Sequence, residues 1–238
     1  MSIQQDYLSV CDYPISRRWP AKNPDIIQLY SYPTPNGVKI SIALEELGLD
    51  YEPHRVGLND ADVKSPEFLS LNPNNKIPAI IDPAGPNGKP IGLFESGAIL
   101  LYLAEKTGKL LGDSLAERAK ITQWLMFQMG GLGPMTGQLG YFHAFAGKGI
   151  EDPRPRERYY NEVKRLLNVV DQQVADQDWI SGNFSISDIA IGPWLQTIPK
   201  FYKAEKEVEL ATFKNVQAYI ERFAARPAVI KGWNIPGA

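Results

Sequence analysis

The sequence contains few of the residues that build redox or metal centres. Cys11 is its single cysteine among 238 residues, and His54 and His143 are its two histidines. One cysteine excludes an internal disulfide and a Cys-x-x-Cys redox pair, and two isolated histidines are too few for a histidine-rich metal site. We therefore expect no metal, and any thiol chemistry has to use a sulfur that the chain does not supply.

The chain also has no large excess of positive or negative charge and no long apolar run. The formal net charge is −2, so the chain lacks the basic excess that favours binding to nucleic acid. No stretch approaches the ~20 apolar residues of a membrane span, and residues 1–25 carry charges without the apolar run of a signal peptide. We expect neither a nucleic acid nor a membrane as partner, and a reducing, cytoplasmic location.

The hydrophobic fraction of 44% is enough to fill a core, and the length suits one large domain or two small ones. The first half alternates between strand and helix patterns. Apolar residues at helical spacing follow the turn at residues 33–37, and Gly48 is placed to end that helix. The predicted order is β-α-β-α-β-β-α, with strands at residues 26–30, 51–58, 77–81 and 90–94, and helices starting near residues 37, 65 and 96.

The second half is predicted to be helical throughout. Helices are expected at residues 116–129, 156–174, 185–202 and 213–225, with an interruption at the glycine-rich residues 130–134. Such an arrangement indicates an α/β thioredoxin-like N-terminal domain plus an all-α C-terminal domain. The predicted boundaries are an irregular leader at residues 1–25, the thioredoxin-like domain at residues 26–109 and the helical domain at residues 114–230.

Glu95 and Ser96 stand at a predicted helix start directly after a strand. A helix start offers unpaired backbone N–H groups and a partial positive charge, so it can hold a carboxylate, and Glu95 could hold an ammonium group beside it. The pair therefore suits an amino-acid zwitterion. The alternative is that Ser96 is only a cap and that Glu95 only complements the helix dipole.

Pro78 opens a predicted strand. A cis bond between Ile77 and Pro78 would turn the preceding backbone outward, where it could pair with an extended peptide ligand. We predict a cis bond here, although proline alone would favour trans, since only ~5–6% of X–Pro bonds in folded proteins are cis.

Taken together, these segments resemble the glutathione transferase superfamily over roughly residues 26–227, and more narrowly its nu-class bacterial members. The motifs that carry the resemblance are Tyr32-Pro33-Thr34-Pro35-Asn36-Gly37, Asn74-Asn75-Lys76-Ile77-Pro78, Phe94-Glu95-Ser96-Gly97 and Gly130-Gly131-Leu132-Gly133-Pro134-Met135.

The resemblance implies a site for glutathione. Glu95 and Ser96 would bind its γ-glutamyl end, and the Ile77 backbone before Pro78 would pair with its cysteinyl part. Asn75 or Lys76 would lie near its glycyl carboxylate. Arg158 matches a family arginine that reaches glutathione across a homodimer interface, or else it belongs to a solvated helix face.

Thr34 and Asn36 would approach the sulfur and are the expected catalytic residues. Hydroxyl, amide and backbone donors at a helix start favour a thiolate over a thiol, although both residues could simply cap the helix. No tyrosine, serine or cysteine occupies the activating position of other classes, unless Tyr32 or Ser31 reaches the sulfur from the strand.

The implied function is glutathione-dependent reduction of a small disulfide, with weak transferase or peroxidase activity besides. In this reaction a second glutathione resolves the mixed disulfide, so the protein needs no cysteine of its own. Conjugation of glutathione to an electrophile is the nearest alternative, and a non-catalytic glutathione-binding regulator is another. Residues 185–188, Ser185-Ile186-Ser187-Asp188, are interpreted as a helix-capping box with no catalytic part.

Overall fold

The computed structural model describes residues 7–237 and divides into two compact units. The first runs to Leu103 and resumes at Lys231, and the second runs from Ala104 to Ile230. The first six residues of the predicted leader and Ala238 lie outside the described residues. The domain boundaries given from the sequence stay a prediction.

The first unit contains a four-stranded mixed sheet in the order β2-β1-β3-β4. Strand β1 is parallel to β2 and antiparallel to β3, which is antiparallel to β4. All of β1 is buried, as expected of a central strand covered on both faces. The strands are β1 (Ile27–Ser31), β2 (Tyr51–Arg55), β3 (Ala79–Asp82) and β4 (Ile91–Phe94), and the helices are α1 (Gly37–Leu47), α2 (Asp60–Val63), α3 (Pro66–Leu71) and α4 (Ser96–Thr107).

Helix α1 forms and ends as its sequence predicts. Ile40, Ala43 and Leu44 are buried along one stripe. Gly48 adopts a left-handed conformation with φ 68°, and Leu49 N donates to Leu44 O at 3.0 Å, which closes the C-terminus. This strand-turn-helix unit confirms the thioredoxin-like half of the predicted fold.

The predicted irregular leader contains two short 3₁₀ turns, Val10–Asp12 and Pro14–Arg17. Asp12 Oδ2 accepts the backbone N–H of Ser9 at 2.8 Å, which starts the first turn, and Pro14 starts the second. Val10 and Ile15 are fully buried in one cluster with Phe68. The leader therefore contributes to the core of the first unit.

The second unit is helical, as predicted. Its core includes Leu132, Val163, Leu167 and Leu195. The expected interruption at residues 130–134 is a π-helical turn, Gln128–Leu132, because the backbone keeps helical angles through the glycines. The helices are α5 (Leu115–Phe127), α6 (Gly133–His143), α7 (Arg154–Gln173), α8 (Ile186–Thr197) and α9 (Lys214–Ala224), and α10 (Pro227–Gly232) follows. Within residues 7–237, no helix has both the length and the apolar character needed to cross a bilayer.

Asp188 anchors the start of α8. Its side chain is fully buried and accepts hydrogen bonds from Ile180 N at 2.9 Å, Ser185 N at 3.0 Å and Tyr219 Oη at 3.1 Å. Burial raises the pKa of Asp188 to about 6, against the opposing effect of these donors. The predicted capping box is present.

His54 packs against Tyr30 and Gln28 in the first unit. It is buried in β2, its ring stacks on Tyr30 at a centroid distance of 4.7 Å, and Nε2 lies 2.8 Å from Gln28 Oε1. The Gln28 amide nitrogen already donates to Asn23 O and Ile26 O, so His54 Nε2 is the donor. Burial lowers the pKa of His54, while Glu52 raises it and Lys22 lowers it further.

Because this pKa lies below the unfolded value, the unfolded chain binds more protons as the pH falls below ~6.5, and the folded state loses stability there. Each pKa unit of depression corresponds to about 1.4 kcal/mol. We expect the urea midpoint to fall between about pH 7.5 and pH 5.5 in the wild type and to fall less in His54→Gln. His143→Gln keeps His54 and should retain the full decrease. An equal decrease in both variants would assign the acid response to other groups.

Candidate active site

Three chain segments leave the sheet at the same end. Tyr30 of β1 pairs with Ala79 of β3, and Ala79 pairs with Phe94 of β4. The turn after β1, the residues before β3 and the turn after β4 therefore emerge side by side. These segments hold the residues predicted to form the glutathione site, namely Thr34, Asn36, Ile77, Pro78, Glu95 and Ser96.

Glu95 lies in a strained turn. Its φ is 70°, in the left-handed region, which costs a residue other than glycine roughly 1 kcal/mol. Its carbonyl accepts Ile99 N at 2.9 Å, so Glu95 is the residue that opens α4. The side chain is exposed, whereas Ser96, the next residue, is 3% exposed. A carboxylate thus stands beside the N-terminus of α4, as the zwitterion interpretation requires.

The turn before α1 separates the roles of Thr34 and Asn36. Thr34 Oγ1 accepts Gly37 N at 3.2 Å, so Thr34 does cap the helix, and its hydroxyl proton is directed elsewhere. A Cβ at Gly37 would collide with Tyr32 O, which explains the glycine. The Asn36 side chain makes no capping bond to the helix backbone. Capping alone therefore accounts for Thr34 and not for Asn36.

Lys39 is a component of this region that was not predicted from the sequence. It is 0% exposed, and its Nζ donates to Asn36 Oδ1 at 2.9 Å and to Ser96 Oγ at 3.2 Å. Burial lowers the pKa of Lys39 to about 7, and the negative charge of Glu95 opposes that shift. Lys39 lies one helical turn before Ala43 on the buried stripe of α1, and this position was the signal available in the sequence.

The loop before β3 is shaped by Asn72, a second residue that was missed. Asn72 is 1% exposed; its Oδ1 accepts Asn74 N at 2.9 Å, and its Nδ2 donates to Lys76 O. Asn75 is in the left-handed region, with φ 50°. These contacts hold Asn75 and Lys76 at the loop surface.

The peptide bond between Ile77 and Pro78 is cis, which confirms the prediction made from the sequence. Both residues are buried and directly precede β3. The Ile77 backbone is therefore held at the same end of the sheet as Thr34 and Glu95.

Ser31 and Tyr32 make contacts with other residues of the first unit. Ser31 is fully buried, with Oγ 3.5 Å from Tyr32 O. Arg55 stacks over the Tyr32 ring at 4.6 Å and donates to its hydroxyl at 3.2 Å and to Gly237 O at 2.7 Å. Arg55 thereby ties the entry to the Thr34 turn to the last described residue.

The predicted site residue Arg158 and the single cysteine lie elsewhere in the chain. Arg158 is exposed on α7 in the second compact unit, where the hydrogen bond from Arg165 chiefly lowers the pKa of Glu162 and the charge of Arg158 adds a minor effect. Cys11 is an exposed free thiol on the first 3₁₀ turn. Among residues 7–237, no cluster of three or more histidine, cysteine or acidic side chains is arranged to hold a metal ion.

Comparison with known proteins identifies both halves of the chain. The family profile described as "Glutathione S-transferase, N-terminal domain" matches residues 26–105, and that described as "Glutathione S-transferase, C-terminal domain" matches residues 138–227. The disulfide-bond oxidoreductase YfcG of Escherichia coli strain K12 is 47% identical over 206 residues, which cover 85% of this chain and 92% of that protein.

Two solved structures are similar over nearly the whole chain. A glutathione transferase from Pseudomonas putida, with one glutathione disulfide bound per subunit, is 56% identical with a TM-score of 0.94, covering 96% of this chain and 99% of the other. A glutathione transferase from Burkholderia graminis, with two glutathione molecules bound per subunit, is 57% identical with a TM-score of 0.94, covering 95% of each chain. The resemblance inferred from the motifs is thus confirmed, and the chain belongs to the glutathione transferase family.

Proposed function

We propose that the protein is a glutathione-dependent disulfide-bond reductase. The observation that carries this proposal is the convergence of the two helix starts, α1 with Thr34 and Asn36 and α4 with Glu95 and Ser96, around one buried ammonium group. The hydrogen-bond donors that we assign to the thiol and the groups that we assign to the zwitterion thus lie at the same end of the sheet, as an extended tripeptide requires.

The γ-glutamyl end of glutathione is assigned to Glu95 and Ser96. The exposed Glu95 carboxylate suits the ammonium group, and the Ser96 hydroxyl with the N-terminus of α4 suits the carboxylate. The Ile77 backbone before Pro78 would pair with the cysteinyl residue, and Asn75 or Lys76 would approach the glycyl carboxylate. This orientation directs the sulfur toward Thr34 and Asn36.

Thr34 and Asn36 are assigned to the thiolate. A free thiol has a pKa of ~8.5, and lowering it by two units requires about 2.7 kcal/mol. Two hydrogen bonds and a helix dipole can together supply this amount. The bound glutathione would then be mostly thiolate near neutral pH.

The reaction consumes two glutathione molecules and one disulfide. The bound thiolate attacks one sulfur of the substrate disulfide, the S–S bond breaks, and the leaving thiolate takes a proton to become a thiol. A second glutathione thiolate then attacks the mixed disulfide, giving glutathione disulfide and a second thiol. The two electrons come from the two glutathione thiols, so Cys11 is not needed. The glutathione disulfide and the paired glutathione molecules bound in the two similar structures support this sequence of steps.

We further propose that the protein works as a homodimer in the cytoplasm, with a small disulfide or electrophile as co-substrate. The exposed position of Arg158 on α7 is compatible with a contact to glutathione in a second subunit. A compartment rich in reduced glutathione suits both the reaction and a chain with one cysteine.

The proposal is tested by two assays on one preparation. We expect reduction of a hydroxyalkyl disulfide, coupled to glutathione reductase, to exceed conjugation of an aromatic halide at least tenfold in kcat/KM. Faster conjugation would identify a conventional transferase. Absence of both activities, with glutathione still raising the thermal midpoint, would identify a binding protein.

A further inference from the structure

Lys39 requires an explanation beyond folding. A lysine that is 0% exposed is unusual, because a buried ammonium costs free energy unless hydrogen bonds and charge compensate for it. Leucine or methionine at this point of the α1 stripe would avoid that cost. The ammonium is directed at two side chains of the proposed site instead of at solvent.

The hydrogen bonds of Lys39 fix how its partners are oriented. An ammonium group only donates, so the Asn36 atom that faces Nζ at 2.9 Å must be the amide oxygen. The amide NH₂ therefore points away from Lys39. In the same way Ser96 Oγ, 3.2 Å from Nζ, is an acceptor there and directs its O–H proton elsewhere.

These orientations are the ones that the proposed ligand needs. A thiolate and a carboxylate both accept hydrogen bonds, so a site for glutathione must present donors to them. Without the ammonium, the Asn36 amide could turn its oxygen toward the sulfur and oppose ionisation. Hydrogen bonds in a chain also polarise one another, so the ammonium makes the Asn36 amide and the Ser96 hydroxyl stronger donors.

We propose that Lys39 is a positioning residue of the glutathione site, whose ammonium holds the Asn36 amide oxygen and the Ser96 hydroxyl oxygen so that both side chains present donors to the ligand. This inference rests on the proposed function for the identity of the ligand. Lys39 itself acts through Asn36 and Ser96. Burial disfavours the charged form of Lys39, and the negative charge of Glu95 opposes that effect.

The test is the pKa of the bound glutathione thiol, followed by the ultraviolet absorbance of the thiolate as a function of pH. In Lys39→Met we expect this pKa to rise by about one unit, a tenfold loss of thiolate at a pH below both values. The turnover number should fall about tenfold, and the glutathione dissociation constant should rise severalfold through Ser96. Lys39→Arg, which keeps the charge and the donors, should recover part of the loss.

A matched control lies two residues further along the same helix. Ser41 is also fully buried, and its hydroxyl contacts Gly232 O at 2.6 Å and Val38 O at 3.1 Å, outside the proposed site. Ser41→Ala perturbs α1 without touching Asn36 or Ser96, so the thiol pKa should not change. A rise equal to that of Lys39→Met would show that both act through the helix and would overturn the proposal.

A double-mutant cycle tests whether Lys39 affects the thiol pKa through Asn36. If Lys39 acts on the thiol through Asn36, Lys39→Met combined with Asn36→Ala should raise the thiol pKa no further than Asn36→Ala alone. Fully additive shifts would overturn the positioning role. If Lys39→Met does not fold, Lys39→Leu, which also removes every donor, must raise the pKa in the same direction for the proposal to stand.

Glutathione binding by the wild type is measured first, so that a failure of the proposed function can be told from a failure of the role proposed for Lys39. Failure of the wild type to bind glutathione would refute the proposed function and this inference together. Glutathione binding with an unchanged thiol pKa in Lys39→Met would refute the role of Lys39 alone.

Discussion

We expect Asn36→Ala to lower the kcat for disulfide reduction about hundredfold and to weaken glutathione binding by less than about threefold. The reason is that a donor aimed at developing or stored negative charge contributes mainly to the reacting form, and removal of one such donor costs 10²–10³ in kcat in well-studied sites. Asn36 makes no side-chain capping bond in α1, so its loss removes no helix cap; the buried Lys39 loses one acceptor and keeps Ser96 Oγ. Steady-state kinetics together with calorimetric titration of glutathione would measure the two effects separately.

Asn59→Ala is the matched control for this change. Asn59 opens α2 in the same unit, its Oδ1 accepts Asp62 N at 3.1 Å and its Nδ2 lies 3.5 Å from Asp62 Oδ2, so it is an asparagine at a helix start whose side-chain bonds stay within the first turn of that helix. We expect its removal to lower the thermal midpoint slightly and to leave kcat unchanged. If Asn36→Ala weakened binding as much as turnover, Asn36 would be a binding residue without a special role toward the thiolate.

The second large effect concerns stability. In Asp188→Ala, the backbone N–H groups of Ile180 and Ser185 and the hydroxyl of Tyr219 lose a fully buried acceptor. Each buried donor left unsatisfied costs about 1–3 kcal/mol, so the total loss should be about 4 kcal/mol. For a chain of this size, this corresponds to a decrease of roughly 10 °C in the thermal midpoint. Differential scanning calorimetry would measure it.

The exposed capping box at the start of α5 is a matched control for the buried one at the start of α8. Glu117 accepts Ser114 N at 2.9 Å in the same arrangement, but on the exposed surface, where water can replace the lost acceptor. Glu117→Ala should therefore lower the midpoint far less than Asp188→Ala. Similar decreases in the two variants would mean that the buried donors near α8 find new partners, and that burial of the cap has no special effect.

Local signals explain why much of the fold was predicted. Gly48 ends α1 because a left-handed residue closes a helix wherever it occurs, and the capping box at Ser185 needs only residues within one turn. The 3₁₀ turns of the leader were not predicted because their formation depends on the packing of Val10 and Ile15 against Phe68, which is distant in the sequence. The π-helical turn at Gln128–Leu132 was read as a break because its glycines favour one locally.

In the candidate site, too, the features set by local sequence could be predicted and those set by distant contacts could not. Glu95, Ser96 and Pro78 could be selected from their sequence context, and the resemblance supplied their roles. That they meet at one end of the sheet depends on the register of Tyr30, Ala79 and Phe94, which no single segment specifies. Lys39 was missed because the sequence shows a lysine without showing that its side chain is buried between two helix starts.

The bond between Arg55 and Gly237 also affects how the protein can be handled. Because the same guanidinium stacks on Tyr32 at the entry to the Thr34 turn, Arg55 links Gly237 to the loop that holds Thr34 and Asn36, the residues proposed to contact the sulfur. A tag fused on the C-terminal side of Gly237 should therefore be checked against an untagged or N-terminally tagged protein before any loss of activity is attributed to Thr34 or Asn36.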